Sequence, residues 1–275
     1  MKDFVHDAPA MRVVFGAGTL SVVPDEVARL GGERVLLIGD RAAKVYADQL
    51  AAGLGRRLAG RVDDVVMHVP AETAASATAR ATASGADLLV CLGGGSATGL
   101  AKAVAKAASV QILAVPTTYA GSEMTPIWGL TEGNRKITGR DARVLPRTVV
   151  YDPALTVGLP VDVSAASGMN ALAHCVEGLY SSAAGPVTAV LAEEGIRALA
   201  DALPRVVANP ADIDARGDAL YGAGWPVGCS ARPAWASTTR SAMFSAVPTT
   251  CRMRRSTLPC CPMQPRTTRR SQPRR

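Results

Sequence analysis

The chain lacks acidic residues where it is richest in basic ones: Asp218 is the last Asp or Glu, and Trp225–Arg275 carries ten arginines, no lysine and no carboxylate. The formal charge of +7 therefore belongs to the tail, because without that stretch 20 basic residues face 23 acidic ones, or −3. A nucleic-acid partner, which a basic chain ordinarily suggests, is not expected of the rest. Also missing is any apolar run near the roughly 20 residues that a bilayer-spanning helix requires. Met1-Lys2-Asp3-Phe4 opens no secretory signal, so the expected address is the cytoplasm, with no membrane partner. Histidine is confined to His6, His68 and His174. In the tail, Cys229, Cys251, Cys260 and Cys261 form no C-x-x-C pair and no histidine follows them, which excludes a zinc knuckle. Cys91 and Cys175, isolated among apolar neighbours, read as buried and reduced.

What is present is a chain of 275 residues, 48% of them hydrophobic, long enough for one large or two ordinary domains. The most informative segment is Leu88–Lys102, an apolar strand that runs into Gly93, Gly94, Gly95 and Ser96 and then into a helix of small residues. Glycines let backbone N–H groups approach an anion, and the helix aims its positive dipole end at the same place. The pattern is that of a phosphate cradle. A second segment, Gln111–Pro126, is a buried-strand pattern that empties into a loop bearing Thr117, Thr118 and Ser122. Those hydroxyls suit a ribose or diphosphate, or serve only local backbone hydrogen bonds.

Around these segments, Val35–Ile38 reads as a strand ending at Gly39-Asp40, Ala42–Leu58 as a helix, Val65–Val69 as a strand and Ala71–Ser84 as a helix. Such alternation predicts an α/β domain with a parallel, doubly wound sheet covered on both faces. Beyond Tyr151-Asp152-Pro153 the pattern becomes helical, over Ser164–Ser182, Val187–Leu203 and Ile213–Tyr221. The expected organisation is a dinucleotide-binding domain over residues 1–153, the start of an all-α catalytic domain over 154–223, and a tail over 224–275. With seven prolines among Trp225–Arg275 and no helical or strand period, disorder is the expectation for the tail. At the end of the Val35–Ile38 strand, Asp40 is placed either to accept hydrogen bonds from an adenosine ribose or to cap the following helix. Asn170 and His174, four residues apart, share a helix face.

Taken in order, Val14-Phe15-Gly16-Ala17-Gly18, Gly93–Ala103, Pro116–Pro126 and Gly168–His174 resemble the iron-containing alcohol dehydrogenase superfamily, over residues 1 to about 223. Within it the chain is similar to the maleylacetate-reducing branch. Gly99 stands where metal-dependent members have an Asp, Asn170 replaces their first metal-ligand Asp, and Lys136–Asp141 with Leu145–Pro153 is similar to that branch's linker. The resemblance implies reduction of the C=C bond of maleylacetate to 3-oxoadipate by NADH or NADPH, a late step in degrading chlorinated or hydroxylated aromatics, and a homodimer. It places the cofactor on Asp40, Gly93, Gly94, Gly95, Ser96, Thr117, Thr118 and Ser122. His174 and Asn170 are the catalytic candidates, with His174 orienting the substrate or donating a proton, resting as a hydrogen-bonded cleft histidine, or ligating a metal. No metal site is expected, because an amide is a poorer ligand than a carboxylate. A small dicarboxylate substrate needs cationic partners, for which Lys136, Arg140, Arg143 and Arg147 are candidates. Glu177 reads as a helix-surface or junction charge.

The superfamily continues with a helical region bearing histidines, which the tail does not contain. Read one base earlier, however, the tail's codons change meaning: Met243-Phe244 must give valine, Cys260-Cys261 leucine and Met263-Gln264 alanine, while Cys251–Thr257 can encode P-H-A-E-V-H. A single-base deletion near Ala223 is therefore expected, with reductase activity impaired in this chain. Two alternatives stand beside this reading: a metal-dependent alcohol dehydrogenase of the same superfamily, and a non-enzymatic protein whose basic tail binds nucleic acid.

Overall fold

The computed structural model describes residues 9–133, 135–181 and 185–230, with side chains through Gly224. The frame-shifted and disordered tail inferred from the sequence lies outside these residues, apart from its first few. The elements run β1 (Arg12–Phe15), α1 (Val23–Arg29), β2 (Val35–Gly39), α2 (Lys44–Leu54), β3 (Leu58–Val62), α3 (Ala71–Ala83), β4 (Leu88–Gly93), α4 (Gly95–Ala108) and β5 (Gln111–Pro116). They continue with the hairpin β6 (Ile127–Glu132) and β7 (Arg135–Arg140), then β8 (Thr148–Tyr151), α5 (Val161–Tyr180), α6 (Pro186–Ala208) and α7 (Ile213–Ser230).

Six strands form one parallel sheet in the order β1-β8-β5-β4-β2-β3. Alternation along the strands sends Leu36, Ile38, Leu89, Cys91, Ile112 and Ala114 to the face covered by α3 and α4. Val35, Leu37, Leu88, Val90, Leu92, Leu113 and Val115 go to the face covered by α1 and α2. Burial on both sides explains why β2, β4 and β5 read as continuous apolar runs. The expected doubly wound α/β sheet followed by a helical region is what the chain forms. No helix among the described residues is long and apolar enough to cross a membrane.

Two elements differ from the sequence expectation. The third strand is Leu58–Val62 rather than Val65–Val69. Helix α2 stops at Leu54 because Gly55 takes φ 51, which frees Leu58 onward to pair with β2. As an edge strand with one partner, β3 does without an apolar sequence. Val65–Val69 is instead a turn, with His68 and Val69 at φ 66 and 52 and Met67 72% exposed. Helix α7 also continues past Tyr221 to Ser230. Its two glycines there are contact points: a Cβ at Gly222 would meet Leu199 Cγ at 2.9 Å, and one at Gly224 would meet the Tyr151 hydroxyl at 2.6 Å.

The helical layer is tied to the sheet by Arg216, which is fully buried on α7. Its guanidinium donates to the Tyr119 hydroxyl (3.1 Å), Ser164 Oγ (2.7 Å), the Leu159 carbonyl (3.2 Å) and the Pro210 carbonyl (3.0 Å). Removing it strands several buried acceptors, each costing on the order of 1–3 kcal/mol. Arg216→Met is expected to lower unfolding stability by about 3 kcal/mol, partly offset by the retained apolar volume. Urea titration checks this, as a lower midpoint with an unchanged slope.

Candidate functional site

Strand order reverses direction at β2 and β4: β2 leads through α2 to β3 on one side, and β4 leads through α4 to β5 on the other. Their carboxyl ends therefore part around a crevice, the place where open α/β sheets bind ligands. The strand ends are joined there by backbone hydrogen bonds from Asp40 N to the Leu92 carbonyl (3.0 Å) and from Thr117 N to the Gly93 carbonyl (3.1 Å). Gly93 takes φ 146, and a Cβ on it would lie 2.8 Å from Asp40 Cβ and 2.9 Å from Ala97 Cβ. A Cβ on Gly94 would meet Thr118 Cγ2 at 2.9 Å, and one on Gly95 would meet Ala120 at 3.3 Å. Glycine is required at Gly93 and Gly94 by this packing alone. Helix α4 begins with no side-chain cap and no acidic residue in its first turn, so its leading N–H groups face the crevice with their charge uncompensated.

The structure thus brings Asp40, Gly93, Gly94, Gly95, Ser96, Thr117 and Thr118 to one edge of the sheet. Asp40 Oδ1 accepts from Ala42 N at 3.1 Å, capping the turn after β2 while it walls the crevice. Ser122 sits further along the loop, where its carbonyl (2.5 Å) and Oγ (3.4 Å) both meet Lys102 Nζ.

Lys102 is the residue that sequence reasoning passed over. It is fully buried on the apolar face of α4, and its ammonium also donates to the Thr125 carbonyl (2.7 Å), Thr125 Oγ1 (3.1 Å) and the Ile127 carbonyl (2.8 Å). Burial pushes its pKa down to about 7, opposed by the nearby Glu123 carboxyl and Cys91. Glu123, also buried, accepts from the Tyr151 hydroxyl at 2.6 Å. Burial raises the Glu123 pKa against the opposing hydrogen bond from Tyr151, and burial likewise lifts the Tyr151 phenol well above its usual range. The one legible signal was a lysine inside the run Leu100–Ala105 that otherwise offers only Leu, Ala and Val.

His174 and Asn170 stand one turn apart on α5, in the helical layer. His174 is 5% exposed, with Nδ1 3.9 Å from Glu177 Oε2. Burial lowers the imidazole pKa, with Glu177 working in the other direction. Glu177 is itself buried, which sets aside the helix-surface half of the expectation and leaves the junction charge.

The proposed cationic partners separate. Arg143 is paired with Asp141 (2.7 Å) and reaches Ser109 Oγ (3.4 Å) just past the far end of α4. That helix runs Gly95–Ala108, so its two ends are about 20 Å apart at 1.5 Å per residue. Arg147 precedes β8 and bonds to the Ile112 carbonyl (2.8 Å) at the amino edge of the sheet. Because all six strands are parallel, that edge is opposite the cradle, and neither arginine is placed to meet a substrate there. Lys136 and Arg140 lie on β7 of the hairpin. Among the described residues no group of three or more His, Cys, Asp or Glu could hold a metal ion, and the chain has two histidines besides His174, one of them in the exposed turn at His68.

Residues 9–153 match the family model for iron-containing alcohol dehydrogenase, and residues 164–229 match that for the C-terminal part of the Fe-containing alcohol dehydrogenase family. The chain is 50% identical over 228 residues to maleylacetate reductase 1 of Cupriavidus pinatubonensis, covering 83% of this chain and 64% of that protein. It is 51% identical over 223 residues to maleylacetate reductase of Burkholderia cepacia, covering 81% of this chain and 63% of the relative. The crystal structure of maleylacetate reductase from Agrobacterium tumefaciens is similar with a TM-score of 0.81 at 46% identity, over 84% of this chain and 66% of that one. The chain therefore spans somewhat less than two thirds of the length of these relatives. With both family models matched in order along the chain, the protein belongs to the iron-containing alcohol dehydrogenase family.

Proposed function

We propose that the crevice at β2 and β4 binds the pyrophosphate of a reduced nicotinamide coenzyme and that the chain is built to reduce the C=C bond of maleylacetate to 3-oxoadipate. The observation that carries this reading is the glycine-walled start of α4, left uncapped between Asp40 and Thr118, in a chain about half identical to maleylacetate reductases. When bound, the coenzyme would supply hydride to an alkene carbon made electron-poor by the conjugated carbonyl. The leading N–H groups of α4 would hold the pyrophosphate, and the Thr117 and Thr118 hydroxyls would bond its sugars and phosphates. Asp40, at the end of β2, would accept from the adenosine ribose hydroxyls and repel a 2′-phosphate, which favours NADH over NADPH. His174, held neutral at pH 7 by burial, suits a hydrogen-bond donor that orients the substrate carbonyl, with the Asn170 amide one turn away. A cytoplasmic homodimer belongs to the same proposal.

Residues 224–275 are read as out of frame, on the strength of the codon constraints described above. Nucleotide sequencing across codons 218–275 is expected to show a frame that restores histidine-bearing words once one base is added. Absence of such a frame overturns this part of the reading.

Fluorescence titration tests coenzyme binding. NADH emission is expected to change on adding the chain, NADPH to bind more weakly, and Gly94→Val to weaken NADH by at least about tenfold, since the new side chain would collide with Thr118. A chain that leaves both coenzymes unaltered overturns the proposal. His174 gives a pH test that needs no coenzyme. Its folded pKa lies below the ordinary 6.5, so between the two values the unfolded chain binds the extra proton. Stability therefore rises with pH through that window and levels off above about 6.5. His174→Gln is expected to flatten this slope in urea unfolding between pH 5 and 7.

A further inference from the structure

We infer that Lys102 is a positioning residue that latches the Thr117–Ile127 loop onto α4 and so sets the width of the coenzyme slot, an inference that rests on the coenzyme reading above. Three carbonyls, those of Ser122, Thr125 and Ile127, converge on the one ammonium, which has three protons to give. Buried loop carbonyls need partners; Lys102 supplies one to the Thr125 carbonyl and, beside the local bonds from Thr125 N (3.2 Å) and Thr125 Oγ1 (3.1 Å), one to the Ser122 carbonyl. Lys102 stands two turns beyond Gly95 on the same helix that opens the cradle. The loop it holds begins with Thr118 and Ala120, the residues that a Cβ on Gly94 or Gly95 would strike. The distance between loop and helix start is therefore fixed from within, by an amine that, among the described residues, bonds only to Ser122, Thr125 and Ile127 of the loop. Glu123, in the middle of the latched segment, carries the constraint on to Tyr151 of β8.

The latch is tested on the full chain by hydrogen–deuterium exchange alongside NADH titration. Lys102→Met is expected to keep slow exchange in β2, β4 and β5, to speed exchange of the Ser122–Ile127 amides at least about tenfold, and to weaken NADH by roughly tenfold to a hundredfold. Lys102→Arg, which retains a cation with several donors, is expected to restore part of both. Should Lys102→Met fail to fold, Thr125→Val removes one acceptor at nearly constant volume and is expected to shift the same amides, and the same affinity, by a few-fold. Loop exchange and affinity unchanged in Lys102→Met, or unchanged in Thr125→Val where only that variant folds, overturn the inference. So does a loss of protection spread evenly over the sheet. If the unmodified chain binds neither coenzyme, the coenzyme reading and the slot's role fall together. Fast loop exchange in the variant would then still establish the latch as a structural contact.

Discussion

The crowding around Gly93 and Gly94 is the constraint from which the rest of this architecture follows. Three chain segments that leave the sheet at β2, β4 and β5 approach so closely that no side chain fits between them, with Asp40 and Ala97 against Gly93 and Thr118 against Gly94. Close approach has two consequences. The loops brace one another through backbone bonds rather than through flexible side chains. The start of α4, stripped of a cap and of carboxylates, presents a fixed positive field at the mouth of the crevice. Under the function proposed above, the backbone N–H groups of this site would lose little entropy on binding, because peptide groups have no rotamers to freeze.

The loop after β5 is where the two layers of the molecule are joined, and it is held by two buried cations. Lys102 grips Ser122, Thr125 and Ile127 from the sheet side. Arg216 grips the Tyr119 hydroxyl from α7. The acceptors of both are carbonyl and hydroxyl oxygens. A buried charge surrounded by several dipoles avoids the full desolvation penalty that a single misplaced counterion would leave. The arrangement also orders the backbone that supplies those dipoles, so the cost of burying each charge is offset by the geometry it imposes on an otherwise irregular segment.

Much of this was legible in the sequence because the sheet is buried on both faces. Val35–Ile38, Leu88–Leu92 and Ile112–Val115 can be little else than central strands, and the glycines after the second mark the crevice. The edge strand β3 escaped because pairing on one side asks nothing apolar of it, and Val65–Val69 imitated a strand through composition alone. Helix α7 outran its expected end at Tyr221 because sequence does not show the neighbours against which Gly222 and Gly224 pack. Arg143 and Arg147 suggested a substrate clamp by charge, yet the direction of the strands puts them at the opposite edge, a fact no local pattern carries. Lys102 and Glu123 were invisible for a related reason. A charged residue reads as solvated unless its partners are known, and here they are carbonyls up to 25 positions from Lys102 and a tyrosine hydroxyl 28 positions from Glu123.

The same contacts bear on how His174 is registered against the crevice. From Gly93 the path runs through the Thr117 backbone into the loop, through Glu123 to the Tyr151 hydroxyl, and from the Tyr151 ring to α7 at Gly224. Helix α7 then meets α5 where Cys175 Sγ approaches the Gly222 carbonyl at 4.0 Å, one residue from His174. The Glu123–Tyr151 step is a buried hydrogen bond, and the step from Tyr151 to Gly224 is a contact too tight for a methyl group. Hydride transfer tolerates little error in the distance between donor and acceptor carbons, and misplacement on the order of 1 Å costs about a hundredfold in rate. The packing at Gly224 against Tyr151 is therefore not a detail of helix docking. It is where the position of the helical layer, and with it the imidazole, is referred back to the strands that form the cradle.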